Sequence, residues 1–330
     1  MKHLHEKSPC CWRRIINYGK RRRQCVRCKK TWRKWKKKKG RKRKRVSQAL
    51  FLKYISNEIS SLYALSKKQK RKSQDTLQRE VRQGLKKFIA TTPWPVLPEG
   101  PLVAVADAMM ANINKKIYTF YFVLLRPVHS REAIITEPYI AEGNECKDGW
   151  RIALSGLPIS SIKALVCDGN LGLVALGREH GWLVQKCHFH ILAKIQGRRS
   201  RWMRSRHREV GELLYLLVKN ALTNPNEDGA IESIIELGIL SQDIASVQLK
   251  KYLRGFIKHY QGYRTHLHHP ELNLPTTSNS AESLISGLRN LYYKAHGFRT
   301  IESLTLWTHA FLKYKKTIAC NGSPPTELMR

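Results

Sequence analysis

Residues 162–170 read Ile-Lys-Ala-Leu-Val-Cys-Asp-Gly-Asn, and this stretch decides the fold. Its apolar centre, residues 165–167, predicts a buried strand, and Gly169-Asn170 predicts a turn directly after it. Asp168 is therefore expected at the carboxyl end of that strand. Open α/β sheets place their ligand sites at this edge, which makes Asp168 a candidate functional residue.

A second apolar run with an aspartate at its end lies upstream. Residues 102–106 read Leu-Val-Ala-Val-Ala and lead directly into Asp107. Two carboxylates at the ends of neighbouring strands can hold a divalent metal ion between them. The alternative is that each aspartate only forms a turn, a position in which Asp is common. The occurrence of two such runs in a very basic chain favours the metal site.

Composition narrows the class of protein. The chain has 330 residues, 42% of them hydrophobic, which is enough for two domains or for one domain with a large insertion. There are 61 Lys and Arg residues against 24 Asp and Glu residues, a net charge of +37. Such an excess favours a polyanionic partner, with nucleic acid as the expected one, over a solvated basic tail alone.

The sequence also predicts where the protein resides. We find no apolar run of about 18 residues, so a membrane span is not expected. The first residues, Met-Lys-His-Leu-His, lack the apolar core of a signal peptide. The expectation is an intracellular protein that is cytoplasmic and associated with the nucleoid. Its eight cysteines then suit free thiols or metal ligands better than disulfides.

Residues 1–45 form a basic module that contains four cysteines. Cys25 and Cys28 form a C-x-x-C knuckle, and Cys11 takes the second place of a C-P-x-C knuckle whose first place is held by Ser8. Three cysteines and one further ligand suit a tetrahedral zinc site. The fourth ligand is left open between Cys10, His5 and His3. A module that has lost its metal is the alternative.

Several basic and aromatic residues in the first 90 positions are candidate DNA contacts. Apolar residues at helical spacing, the break at 66–72 and a second amphipathic run predict a helix-turn-helix region over 46–90, although ordinary helix packing gives the same pattern. Ser73 or Asp75 is expected to cap the second helix. A Pro-rich segment, 91–101, predicts a linker and a domain boundary. The candidate DNA-binding residues are Trp32, Arg33, Trp35, Arg41, Arg43, Arg45, Arg79 and Arg82.

Residues 102–330 predict a mixed sheet followed by helices. Strands are expected at 102–106, 117–125, 133–136 and 162–167, with a hairpin turn at 112–116 and a further strand at 182–185. Helices are expected at 146–157, 171–180, 213–221, 231–237, 247–260, 279–291 and 301–314. The β-α-β order around Asp168 indicates the α/β class.

Four short motifs occur in a fixed order in this region. They are Val105-Ala106-Asp107, the strand that ends in Asp168, Gln-Lys-Cys-His-Phe-His-Ile at 185–191, and Thr-Thr-Ser-Asn-Ser-Ala-Glu at 276–282. The third contains a C-x-x-H signature, Cys187 and His190. Together the motifs resemble those of the DDE transposases of bacterial insertion sequences, in the group related to eukaryotic mutator-like elements. The resemblance covers residues 100–315, and the order and spacing of the motifs make it specific.

The resemblance implies a fold and an activity. The fold would be an RNase H-like mixed-sheet core, interrupted by an all-helical insertion at about 191–270, behind zinc-ribbon-like and helix-turn-helix modules. Asp107, Asp168 and Glu282 would be the catalytic residues and would bind Mg²⁺ or Mn²⁺. The reaction would be metal-dependent cleavage of a DNA strand followed by strand transfer. The partners would be the ends of the element, the target DNA and further copies of this chain, with no membrane.

The chain departs from the family pattern at two places. Ala108 follows Asp107 where the family usually has Gly, and Ser8 replaces the expected first cysteine. Two other interpretations are a non-catalytic DNA-binding protein derived from such an element and a structure-specific nuclease on the same core.

The roles of some individual residues are also open. Cys187 and His190 would either approach the reacting site or brace the helical insertion by packing and hydrogen bonding. The third carboxylate has three candidates, Glu271, Glu282 and Glu302. Glu282 is preferred because it flanks the apolar face of its predicted helix, whereas Glu271 lies in a loop and Glu302 faces solvent. A metal cluster of His266, His268 and His269 is the weaker interpretation of that polar loop.

Overall fold

The structure is a computed structural model of the chain. It describes residues 7–8, 10–18, 22–33, 48–68, 72–202, 208–242, 244, 246–295 and 298–321. Trp35, Arg41, Arg43, Arg45, His3 and His5 lie outside the described residues, as does the side chain of Arg33. The chain forms two compact units, Met1–Arg45 and Val46–Arg330.

The first unit is a small antiparallel sheet. Its strands are β1 (Ile15–Tyr18), β2 (Arg22–Cys25) and β3 (Thr31–Arg33), in the order β1-β2-β3. The C-x-x-C segment forms the turn between β2 and β3, with the Lys29 amide donating to the Cys25 carbonyl at 3.0 Å. This turn fixes the spacing of the two cysteines that the sequence predicted as metal ligands.

The second unit alternates strands and helices. Its strands are β4 (Leu102–Ile113), β5 (Lys116–Pro127), β6 (Glu132–Ile135), β7 (Tyr139–Glu142), β8 (Ile162–Cys167), β9 (Leu183–Lys186) and β10 (Thr317–Ala319). Its helices are α1 (Ala49–Ile55), α2 (Leu62–Lys68), α3 (Gln74–Thr91), α4 (Lys147–Ser155), α5 (Leu171–Glu179), α6 (His188–Trp202), α7 (Arg208–Thr223), α8 (Glu227–Leu240), α9 (Val247–Lys258), α10 (Thr265–His268), α11 (Asn279–Lys294) and α12 (Ile301–Lys315).

The strands of this unit form one mixed sheet in the order β10-β6-β5-β4-β8-β9, with β7 also paired to β5. β4 and β5 form a long antiparallel hairpin, and its turn residues Asn114 and Lys115 have φ of 52° and 67°. Positive φ at both central positions is what a tight hairpin turn requires. β4, β8 and β9 are parallel to one another. The predicted mixed α/β class is therefore confirmed.

Side chains on the two faces of the sheet enter two different hydrophobic cores. Val103 and Val105 pack with α1, α3, α11 and α12, whereas Leu102, Ala104 and Ala106 pack with α4 and α5. This alternation follows from the two-residue period of a strand and explains why the run 102–106 is apolar throughout. A third core joins α6, α7, α8 and α9.

The sequence predicted one domain boundary that the structure does not have. Segment 91–101 was expected to separate two domains, but α1 and α3 share a core with α12. Phe51 packs on Trp307 with ring centroids 5.8 Å apart, and Lys313 Nζ donates to the Thr92 carbonyl at 2.7 Å. The chain divides between Arg45 and Val46, which is where the sequence placed the end of the basic module.

Some element boundaries also differ from prediction. The first of the two helices predicted within 46–90 is divided into α1 and α2, because the chain turns at Asn57, where φ is 68°. Strand β4 continues seven residues past its predicted end, so Asp107 lies within the strand rather than at its end. The short strands β7 and β10 were not predicted. Ser73 caps α3 as expected, since its side chain accepts from the Thr76 amide. Within the described residues, every helix is too short or too polar to cross a membrane.

Candidate functional site

The register of the parallel strands brings Asp107 and Asp168 together. The last residues paired between β4 and β8 are Ala106 and Cys167. The two aspartates directly follow this pair, so they emerge side by side where β8 ends. β4 continues past this point only because β5 pairs with it on the other side. Each aspartate accepts one local amide hydrogen bond at 2.8 Å, Asp107 from Ala108 and Asp168 from Asn170.

Helix α11 carries Glu282 in its first turn toward the same place. The residues that precede it hold the helix start in position, because the Thr276 carbonyl accepts the His188 amide at 2.9 Å. Glu282 Oε1 lies 3.3 Å from Nδ1 of His190 and receives a long hydrogen bond of 3.5 Å from the Ser278 hydroxyl. Of the three predicted candidates, Glu282 is thus the carboxylate that faces the site.

Cys187 and His190 lie at the start of α6, directly after β9. Cys187 is buried, its amide donates to the Cys167 carbonyl at 2.8 Å, and its sulfur accepts the Ser278 amide at 3.2 Å. Cys187 therefore joins the end of β8 to the start of α11. Nδ1 of His190 is buried and lies 3.3 Å from Oε1 of Glu282, but it makes no hydrogen bond with any described residue.

Electrostatics couple these groups to one another. The pKa of Asp107 is raised to about 7, mainly by burial. The nearby charges of Asp168 and Glu282 contribute in the same direction, against the opposing effects of the Ala108 amide and His190. The hydrogen bond with Cys187 is the main cause that raises the pKa of His190 to about 9, with Glu282 and Asp107 adding to it. Burial opposes ionisation of Cys187, but hydrogen bonds from His190 and Ser278 outweigh it and lower the pKa of the thiol.

A fourth carboxylate, Glu145, was not predicted from the sequence. It lies just before α4 and accepts a hydrogen bond from Trp150 Nε1 at 2.7 Å. Burial raises its pKa, and the charge of Asp168 contributes in the same direction. An acidic residue before a helix is common at helix starts, so nothing in the sequence distinguished Glu145.

Ligand-type side chains lie close enough for a shared ion at two places in the described chain. One group is Cys187, His190 and Glu282, and the other is the set of four N-terminal cysteines; within each, the ligand atoms lie within 4.8 Å of one another. Asp107 and Asp168 belong to neither group, but they interact electrostatically with each other and with Glu282.

The residues around Asp107 are acidic. Three carboxylates share this region, and the pKa of Asp107 at about 7 reflects burial beside two other acids. A divalent cation would stabilise the ionised form of each carboxylate, and carboxylate oxygens are the ligands that Mg²⁺ and Mn²⁺ prefer. Glu282 belongs both to this set and to the group with Cys187 and His190.

The N-terminal unit brings Cys10, Cys11, Cys25 and Cys28 together, a set that could hold a metal ion such as zinc. The sulfurs of Cys10 and Cys28 are 3.3 Å apart. The sequence left three candidates for the fourth ligand, namely Cys10, His5 and His3. Among the described residues, Cys10 is the candidate that lies with Cys11, Cys25 and Cys28.

Ser8 stands beside this cluster rather than in it. The Ser8 side chain is buried, and its hydroxyl donates to the Cys25 sulfur at 3.3 Å. This hydrogen bond is the main cause that lowers the pKa of Cys25 to about 6, whereas contact with Cys28 and the other thiols raises the pKa of Cys11 to about 12. Ser8 thus favours a thiolate at Cys25, the form that binds zinc.

We expect a double substitution, Cys25→Ser with Cys28→Ser, to remove bound zinc and unfold the N-terminal unit. In such small sites the binding free energy of the metal supplies the free energy of folding. Elemental analysis of the purified protein should find about one zinc per chain in the wild type, and none in the variant. The matched control is Cys146→Ser, because residue 146 caps α4 in the other unit and serine can also cap. A wild-type protein without zinc would refute the assignment.

The remaining predicted residues are the candidate DNA contacts and the three clustered histidines. Arg79 and Arg82 are exposed on α3, and Trp32 is half-buried on β3. The three clustered histidines separate: His266 is buried against His188, while His268 and His269 contact Glu227 and Glu271. They form no shared ligand group among the described residues.

Two comparisons bear on the identity of the chain. No protein-family model matches it, and a search of curated proteins finds no match.

Proposed function

We propose that this protein is a DDE transposase, which cleaves DNA strands and transfers them with the help of divalent metal ions. The observation that supports this most strongly is the juxtaposition of Asp107 and Asp168 by the β4–β8 register, with Glu282 facing them from α11. A basic chain of net charge +37 supplies the attraction for DNA.

In this proposal each carboxylate has a defined task. Asp107, Asp168 and Glu282 would hold Mg²⁺ or Mn²⁺. When bound, such ions activate the attacking oxygen and stabilise the leaving oxygen of an in-line displacement. His190, held by Cys187, would orient Glu282 through their 3.3 Å contact. In this proposal Cys187 would brace the helical insertion, and His190 would approach the site.

The same proposal extends to the architecture and partners. The sheet with α4, α5, α11 and α12 would be an RNase H-like core, and α6 to α9, which have their own core, would be the helical insertion. The N-terminal unit and the exposed arginines of α3 would contact the ends of the element. Cleavage by one subunit of DNA held by another would require at least a dimer.

The test is a strand-transfer assay on the full-length protein. The substrate is a labelled, pre-cut DNA end taken from the sequence flanking the gene, with a supercoiled plasmid as target and Mg²⁺ or Mn²⁺ added. We expect labelled joint products that depend on the metal and on the 3′-hydroxyl, so an end with a 3′-deoxy terminus is the matched control.

The other interpretations predict different products. Cleavage without joint products would indicate a nuclease on the same core. Specific binding without cleavage or joining would indicate a DNA-binding protein derived from a transposase. Either result would overturn the proposed function.

A further inference from the structure

A cleft of about 280 Å³ opens between α5, β9 and the segment that leads into α10. Its lining includes the apolar residues Val174, Trp182 and Val184. It also includes the basic groups Arg178 and Lys186 together with polar and histidine side chains. None of the described residues that line the cleft is acidic. A cleft with this lining suits an anion.

The cleft lies at the same edge of the sheet as the carboxylates. Lys186 is paired with Cys167 in the β8–β9 register, and Asp168 is the next residue. A Cβ added to Gly169 would lie 3.6 Å from Cδ of Lys186, so the lysine stem packs against the residue that follows Asp168. A chain of nucleotides that reaches Asp168 would therefore pass close to this cleft.

Lys186 is the unusual group in the cleft. It is only 7% exposed, yet its ammonium has neither a hydrogen bond nor an ion pair within the described part of the chain. Its one close polar contact is with the ring of Tyr263, 5.6 Å from the ring centroid. The Nζ atom itself is not fully buried, so the ammonium tip reaches the open cleft. An anion that enters the cleft would meet there a cation that no described residue neutralises.

The surroundings of Lys186 add positive charge. Arg178 is exposed and has no ion pair among the described residues. The pKa of His259 is lowered mainly by burial, and the charges of Lys186, Lys258 and Arg178 lower it further. His268 and His269 have acidic partners, so the uncompensated charge is that of the lysine and the arginine.

We propose that this cleft binds a phosphate group through Lys186 and Arg178, and that this phosphate belongs to the backbone of the DNA strand that enters the carboxylate site. Lysine binds phosphate as a point charge, and arginine adds directed donors. The choice of DNA as the source of the phosphate rests on the proposed function. The phosphate chemistry itself rests on the cleft, and a free nucleotide is the other source.

The test uses Lys186→Met, which keeps the length of the buried stem and removes its charge. Binding of the full-length protein to a single-stranded oligonucleotide is measured by fluorescence anisotropy over a series of salt concentrations, without added Mg²⁺. We expect the log–log slope of affinity against salt to fall by about 0.7, the value for one lost phosphate contact on a single strand. Lys163→Met is the matched control, because Lys163 is exposed near the opposite end of β8 and should leave the slope unchanged.

A second pair of variants tests the same site in case Lys186→Met disturbs the fold. A Cβ at Gly262 would lie 3.7 Å from Lys186, an ordinary contact, so Gly262→Ala should bind DNA like the wild type. Gly262→Asp places a carboxylate beside Lys186 and should lower the slope as Lys186→Met does. Unchanged slopes in both Lys186→Met and Gly262→Asp would overturn the proposal.

Titration with dAMP and with inorganic phosphate separates the two sources. If dAMP binding is lost in Lys186→Met while the DNA slope stays that of the wild type, the cleft is a nucleotide site and the DNA assignment is overturned. These binding measurements need no catalysis. A lowered slope in a protein that fails the strand-transfer assay would support the phosphate site and count against the proposed function only.

Discussion

Asp168→Ala is expected to abolish DNA cleavage while leaving the affinity for DNA close to that of the wild type. Asp168 directly follows the last β4–β8 pair, so its carboxylate stands beside that of Asp107. Loss of one of the carboxylates that hold the catalytic metal should reduce the rate by on the order of 10³-fold or more. The rate is measured by cleavage of a labelled element end in Mg²⁺, and the affinity by gel shift in Ca²⁺, whose looser coordination should permit binding without chemistry.

Two further variants separate the loss of charge from a loss of structure. Asp168 Oδ1 accepts the Asn170 amide at 2.8 Å, and Asp168→Asn keeps an oxygen for that hydrogen bond. It should be as inactive as the alanine variant. Asp148→Ala removes an exposed carboxylate from α4 and should retain activity. Cleavage that persists in Asp168→Asn, or in the wild type with EDTA, would contradict a metal mechanism.

The apolar runs predicted the central part of the fold because a buried parallel strand leaves a strong local signal. The runs that end before Asp107 and Asp168 lie on adjacent strands, and the helix at 279–291 begins where the sequence placed it. The hairpin turn at 112–116 was also predictable, since Asn114 accepts a positive φ at little cost.

What the sequence missed depends on contacts between distant segments. The break after α1 is stabilised by Lys294, whose Nζ donates to the Tyr54 carbonyl at 2.5 Å and to Asn57 at 3.1 Å. Residues 108–113 are strand because β5 pairs with them along their whole length. β10 is three residues long, too short for an alternating pattern, and pairs with β6 from the far end of the chain.

Some residues of the candidate site could not be predicted from the sequence either, because they approach the site through contacts between distant segments. Glu145 approaches Asp168 only because α4 packs beside β5, a contact that no local pattern signals. The C-x-x-H spacing predicted that Cys187 and His190 lie on one helical turn. The spacing could not predict that His190 would face Glu282. That contact depends on the start of α11 lying beside Cys187, where the Ser278 amide donates to the Cys187 sulfur, and these two residues are 91 positions apart in the sequence.

Glu282→Gln is expected to reduce cleavage by on the order of 10³-fold, the loss typical when a charged group that stabilises the transition state is removed. Glutamine has nearly the same shape and can still accept the 3.5 Å hydrogen bond from Ser278, so the start of α11 should persist. Glu271→Gln and Glu302→Gln are matched controls and should retain most of the activity. Glu271 pairs with His269, and Glu302 lies in the first turn of α12 near its cap residue Thr300.

The effect of Glu282→Gln on the pKa values of its neighbours distinguishes a charged site residue from a residue with only a structural role. The charge of Glu282 contributes to the raised pKa of both His190 and Asp107. In the metal-free variant both pKa values should therefore fall: His190 loses a neighbour that favours its cation, and Asp107 loses one that opposes its anion. NMR titration of the His190 ring would measure the first shift. An inactive Glu302→Gln beside an active Glu282→Gln would mean that the third carboxylate comes from α12, and that the likeness to the transposase motif at 276–282 is misaligned.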